Sequence, residues 1–153
     1  HDSLESKVPP LFSATDCIYI LGGFYRQTGH MAPLRILLVD DFASWRSYVA
    51  SVLQERECFE VVSEAADGQE AIEKATELQP DLILMDIAMP KLNGIEAARR
   101  IRDRAANSKI VFISLEISDE LAEAAVAVGA QAYIAKREIR AKLLPTIDSL
   151  FGK

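Results

Sequence analysis

The chain has 153 residues, half of them hydrophobic and 26% charged, which suits one globular domain with a buried core and excludes disorder or two domains of ordinary size. A net charge of −6 opposes the phosphate backbone of nucleic acid, so direct nucleic-acid binding by this chain is not expected. No apolar run approaches the roughly 20 residues that span a bilayer, and the first residues lack the basic start of a signal peptide, so a cytoplasmic protein without a membrane partner is expected. The two cysteines, Cys17 and Cys58, read as reduced thiols, and no Cys/His cluster suggests zinc. Both histidines, His1 and His30, lie in the N-terminal segment, which leaves none for catalysis in the main body.

Residues 1–33 differ from the rest. They carry Pro9-Pro10, Gly22-Gly23 and Gly29 with weak periodicity. They are expected to be an N-terminal extension ahead of a natural start at Met31, and the rival reading is an arm that packs Ile18 to Tyr25 on the domain. From Leu34 onward, apolar runs alternate with amphipathic stretches. Arg35 to Val39 reads as a buried strand, and Ser44 to about Gln54 as a helix with Trp45, Val49, Val52 and Leu53 inward. Phe59 to Ser63 is a second strand. Asp67 then caps a helix and Glu70 completes a capping box, with Ala71, Ile72, Ala75 and Leu78 on one face. Pro80 and Asp81 end that helix, and Leu82 to Met85 is a third strand.

Asn93-Gly94 opens the third helix, which turns Ile95, Ala98 and Ile101 inward and four arginines (Arg99, Arg100, Arg102 and Arg104) mostly outward. Ile110 to Ile113 is the fourth strand. Ser118 caps a helix from Asp119 to Val128, and Gly129 stops it. Tyr133-Ile134 marks a short fifth strand. The last helix carries Leu143, Leu144, Ile147, Leu150 and Phe151, with Pro145 tolerable only near its first turn or as a kink. Five buried strands alternating with five helices imply a doubly wound α/β domain with a parallel sheet covered on both faces.

In such sheets sites form at the carboxyl ends of strands, beside the switch in strand order. The polar residues there are Asp40-Asp41 after the first strand, Asp86 after the third, Ser114 after the fourth and Lys136 after the fifth. Two carboxylates about 4 Å apart repel by about 4 kcal/mol at an effective dielectric near 20, so three together call for a cation. Hard oxygen ligands select Mg²⁺. Asp86 is then a nucleophile facing a metal-polarised phosphoryl group, and Ser114 and Lys136 are placed to grip its oxygens.

Leu38-Val39-Asp40-Asp41, Leu84-Met85-Asp86-Ile87-Ala88-Met89-Pro90, Asn93-Gly94, Ser114 and Tyr133-Ile134-Ala135-Lys136 together resemble the response-regulator receiver family of two-component signalling. The likeness runs from about Leu34 to Phe151. It implies a flavodoxin-like receiver with strand order 2-1-3-4-5 and a self-phosphorylating signalling domain in place of an ordinary enzyme. Asp86 would be the phosphoacceptor. Asp41 and Asp86 would bind Mg²⁺ directly, the backbone carbonyl of Ala88 would be a third ligand, and Asp40 would act through a water. Lys136 would pair with the phosphoryl group. Ser114 and Tyr133 would switch the face made by the fourth helix, fifth strand and fifth helix. The partners so implied are a sensor histidine kinase or phosphotransfer protein and a second copy through that face. Lys136-Arg137, where many receivers have Lys-Pro, is similar to receivers of the NarL/FixJ type.

Each of these residues has a plainer role available. An aspartate after a strand is often a helix cap, Ser114 alone suits a turn, and Tyr133 suits sheet packing. Leu115 departs from the small residue usual beside the switch hydroxyl and is expected to narrow access to the site. It favours the alternative of a pseudo-receiver, an interaction module that works without phosphorylation. A haloacid-dehalogenase-type phosphatase needs a second aspartate two residues after the nucleophile, where this chain has Ala88. A nucleotide fold needs a glycine-rich loop after the first strand, where it has Asp40-Asp41-Phe42-Ala43-Ser44.

Overall fold

A computed structural model describes residues 32–152, and the proposed N-terminal extension with Met31 and Cys17 lies almost wholly outside them. Eleven elements follow in chain order: β1 (Leu34–Val39), α1 (Ala43–Leu53), β2 (Phe59–Ala65), α2 (Gly68–Leu78), β3 (Leu82–Met85), α3 (Gly94–Arg104), β4 (Lys109–Ser114), α4 (Asp119–Ala127), β5 (Ala132–Ala135), a single 3₁₀ turn (Lys136–Glu138) and α5 (Ile139–Phe151). The strands form one parallel sheet in the order β2-β1-β3-β4-β5. The chain thus leaves β1 toward one edge and returns to its other side, which puts the topological switch between β1 and β3.

β1, β3 and β4 are apolar almost throughout because both their faces are covered. Under α1 and α5, Leu34, Ile36 and Leu38 of β1 meet Val49, Val52, Leu53, Leu143 and Ile147. Under the remaining helices, Leu37 and Val39 of the same strand meet Ile72, Ala97, Ala98, Ile101 and Ala125. The alternation along β1 is the two-residue period of a strand that feeds two cores. β2 runs two residues past the expected Ser63. A bulge between Ile36 and Leu37 takes up Val62, so β2 needs the extra length to pair out to Val39.

The helix starts divide into two kinds. Asp67, Asn93 and Ser118 each accept a backbone N–H three residues on, and so cap α2, α3 and α4. Glu70 closes the capping box by accepting the Ala66 amide at 2.8 Å. No side chain caps α1 or α5. Pro145 sits well inside α5, where it donates nothing to the Ala141 carbonyl. That side of the helix is open: Ala141 and Pro145 are both exposed. Cys58 is buried.

Candidate functional site

Backbone ladder bonds deliver the site residues. Asp40 N–H bonds the Ala65 carbonyl and Asp86 N–H bonds the Val39 carbonyl, each at 3.0 Å. Both side chains therefore leave the sheet at its carboxyl edge, beside the switch point. Gly94 lets α3 begin directly against this edge. A Cβ at Gly94 would lie 2.2 Å from the Asp86 carbonyl oxygen, so any side chain there pushes α3 off the loop. The loop from Asp86 to Asn93 is closed by the Gly94 amide donating to the Ile87 carbonyl at 2.7 Å.

Asp40, Asp41 and Asp86 each present an oxygen such that the three lie within 4.8 Å of one another. Asp40 and Asp86 are buried, and Asp41 is half-buried. The Lys136 ammonium reaches in from the end of β5, 2.8 Å from Asp40 Oδ2 and 3.5 Å from Asp86 Oδ2. Asp40 Oδ1 accepts the Phe42 amide at 2.8 Å. That is a turn within the loop, so neither aspartate of the pair caps α1. Asp41 Oδ1 is buried and has no hydrogen-bond partner among the described residues. A buried carboxylate oxygen left without a donor costs free energy unless something else supplies the charge.

Burial pushes the Asp86 carboxyl up to about 6, against the pull of Lys136. The Asp40 charge adds to the upward push, and the Ala88 and Ile87 amides oppose it. One cation cannot neutralise three carboxylates. The donor set is all oxygen, two of its members are buried, and one oxygen is orphaned. These residues fit a hard divalent cation.

The other expected residues stand further out. Ser114 ends β4, buried, with its Oγ accepting the Glu116 amide at 3.4 Å. It is paired across the sheet with Ala135, the neighbour of Lys136. Tyr133 is half-buried, and its hydroxyl donates to the Glu116 carbonyl in the β4–α4 loop. Ala88 is exposed. Leu115, next to Ser114, is 73% exposed, so its side chain faces solvent.

Two residues belong to the site without having been placed in it by pattern. Arg46 donates to the Asp40 carbonyl and to Glu64, at 2.6 Å from the latter, and so pins the loop after β1 from α1. Trp45, expected as an inward residue of the first helix, lays its ring 4.9 Å from the Lys136 ammonium. Both line the same small cavity as Asp40 and Asp86, with Leu38, Leu84 and Ile113.

Comparison with known proteins places this sheet and its cluster in a family. The model of the response regulator receiver domain family matches residues 36–148. The chain is 39% identical over 121 residues to the chemotaxis protein CheY of Treponema pallidum, covering 78% of this chain and 83% of that protein. It is 38% identical over 104 residues to the response regulator protein VraR of Staphylococcus saprophyticus, covering 68% of this chain and 50% of that one. Among solved structures it is similar to the CheX–CheY–BeF3–Mg complex from Borrelia burgdorferi, with a TM-score of 0.77 and 30% identity over 88% of this chain and 99% of that chain. The chain belongs to the response-regulator receiver family, signalling modules of two-component systems. It spans about half the length of VraR and of the transcriptional regulatory protein LiaR. Among the described residues, no helix is long and apolar enough to cross a membrane.

Proposed function

We propose that this chain accepts a phosphoryl group on Asp86 from a sensor histidine kinase or a phosphotransfer protein, in a Mg²⁺-dependent step in the cytoplasm. The receiver unit begins near residue 34, and residues 1–33 are an extension to it. The observation that carries the reading is the site's unbalanced charge: Asp40, Asp41 and Asp86 converge, and among the described residues Lys136 alone forms an ion pair with them and Asp41 Oδ1 has no donor. The chain's likeness to the Borrelia complex, which holds CheY with BeF3 and Mg, supports it.

Asp41, Asp86 and the Ala88 carbonyl would hold the cation, with Asp40 acting through a water. When bound, the cation supplies charge neutralisation for the carboxylates and the phosphoryl oxygens. The chain's own residues do the rest. At neutral pH most of the Asp86 carboxyl is ionised, and a carboxylate oxygen is the nucleophile that attacks phosphorus, forming an acyl phosphate as the phosphorus–nitrogen bond to the donor's histidine breaks and the imidazole leaves. Lys136 holds Asp40 and reaches toward Asp86, so a phosphoryl oxygen arriving on Asp86 meets an ammonium already in place. Ser114 turns from the Glu116 amide to the phosphoryl group. The same loop carries the Glu116 carbonyl that holds Tyr133, so its movement releases the tyrosine inward. The face of α4, β5 and α5 changes in consequence and is the surface for a target or a second copy. Nucleic acid is not a direct ligand of this chain.

Intact mass after incubation with acetyl phosphate and Mg²⁺ tests the reading. A single phosphoryl adduct on wild type, absent without Mg²⁺ and absent from Asp86→Asn, is expected. No adduct on wild type favours an interaction module that works without phosphorylation. Sedimentation with and without BeF3 and Mg²⁺ tests the second copy, and an unchanged monomer at high concentration counts against it.

A further inference from the structure

Lys136 is a demanding residue to hold. It is 9% exposed, it is the first residue of the 3₁₀ turn that follows β5, and its ammonium has three N–H donors. Asp40 Oδ2 takes one at 2.8 Å and Asp86 Oδ2 lies 3.5 Å away. The third side of the ammonium meets the ring of Trp45, with 4.9 Å between Nζ and the ring centroid. Trp45 belongs to the first turns of α1, so this contact joins the loop after β1 to the end of β5 across the site. The ring is itself supported. It packs 5.4 Å from the Tyr48 ring and lies against the core beneath α1 and α5.

The chemistry of that third contact matters. An oxygen acceptor there would fix the ammonium just as well, but it would compete with an arriving phosphoryl oxygen for the same proton. The face of an indole carries negative potential without a lone pair. It stabilises the buried charge and leaves the N–H donors for Asp40, Asp86 and the phosphoryl group. An aliphatic side chain there would offer apolar surface and give no such attraction.

We propose that Trp45 is a positioning residue for phosphoryl acceptance, its ring holding the Lys136 ammonium over Asp40 and Asp86. This rests on the reading of Asp86 as phosphoacceptor. The role belongs to the aromatic face and so separates from packing: Trp45→Phe keeps a face, and Trp45→Leu keeps apolar bulk alone. With full-length chain, acetyl phosphate and Mg²⁺, the initial rate of adduct formation is followed by intact mass. Trp45→Phe is expected within about twofold of wild type, and Trp45→Leu slower by roughly threefold to tenfold, the size of a modest cation–π contact. Trp45→Met replaces Trp45→Leu if the latter does not fold.

A readout independent of turnover accompanies the rates. The ring above Lys136 shifts its Hε protons upfield in NMR spectra of wild type, less so in Trp45→Phe, and not in Trp45→Leu. Equal rates for Trp45→Phe and Trp45→Leu, or Lys136 signals indifferent to residue 45, overturn the proposal while leaving Asp86 as acceptor. No adduct on wild type overturns the phosphoacceptor reading and this inference with it.

Discussion

The two faces of the sheet solve the same packing problem with different helix starts. Under α2, α3 and α4, each helix begins at a residue whose side chain satisfies an N–H of the first turn: Asp67, Asn93 and Ser118. Under α1 and α5, the chain arrives from Asp40-Asp41 and from Lys136, and no side chain caps either helix. The residues that on one face stabilise a helix are on the other committed to the cluster at the switch point. Lys136 spans from α5's side to Asp40 on α1's side, and Arg56–Asp148 and Arg140–Glu55 tie the loop after α1 to α5 at 2.7 and 3.2 Å. One face is therefore held by caps and core, and the other by core and a strained arrangement of charge.

Core truncation sets the scale and should not distinguish the faces. Leu143 under α5 and Ile101 under α3 are both fully buried. Leu143→Ala and Ile101→Ala are each expected to cost about 2–5 kcal/mol in urea unfolding. A cost confined to one of them would break the symmetry of the two cores.

Removal of Lys136 should distinguish them. Lys136→Met leaves Asp40 and Asp86 buried without their cation. In chelator at pH 8 this is expected to cost about 3 kcal/mol, because breaking a buried pair leaves an uncompensated charge. The deficit should shrink at pH 5, where Asp86 takes up a proton, and shrink at pH 8 when Mg²⁺ is added. An equal deficit at both pH values would mean that the aliphatic stem of Lys136, not its charge, was the lost contribution.

The converse change relieves the same face. Burial raises the Asp86 carboxyl from 3.8 to about 6. Its ionised form is therefore disfavoured in the fold. The penalty is absent below the unfolded value near 4, grows between 4 and 6, and is complete above 6. Asp86→Asn removes it, so in chelator the variant should exceed wild type by about 2–3 kcal/mol at pH 8, from the size of the shift, and match it near pH 4. A variant no more stable than wild type at pH 8 would mean that the carboxylate is better solvated than its burial implies.

What the sequence made legible follows the same division. Caps are local: Asp67 with Glu70, Asn93 before Gly94, and Ser118 stand one turn from the groups they satisfy, and all were readable as helix starts. Strand ends were readable too, because apolar runs of four to six residues stop at Asp40, Asp86 and Ser114. The helix ahead of Ser44 was not, since Phe42 offers no capping side chain. Arg46 to the Asp40 carbonyl, Trp45 over Lys136 and Tyr133 to the Glu116 carbonyl join different elements, so no periodicity announces them. The direction of Leu115 is not legible either: its side chain leaves a loop in which alternation gives no direction, and it turns to solvent.

The smallest expected effect lies on the capped face and isolates what a cap contributes. Asp67 accepts the Glu70 amide at 2.9 Å and faces Lys91 at 3.5 Å. The Glu70 amide, more than Lys91, holds its carboxyl below the usual range. A lowered carboxyl stabilises the fold above its unfolded value, and that contribution fades as pH falls through the folded one. Asp67→Ala should cost about 1 kcal/mol at pH 7, while Asp67→Asn, which still caps, should stay within a few tenths. Toward pH 2 the protonated aspartate is a weaker acceptor, so the gap between wild type and Asp67→Ala should narrow. The Lys91 pair is exposed on one side and screened by salt. If 1 M salt abolished the gap at pH 7, the contribution would belong to Lys91 and not to the cap.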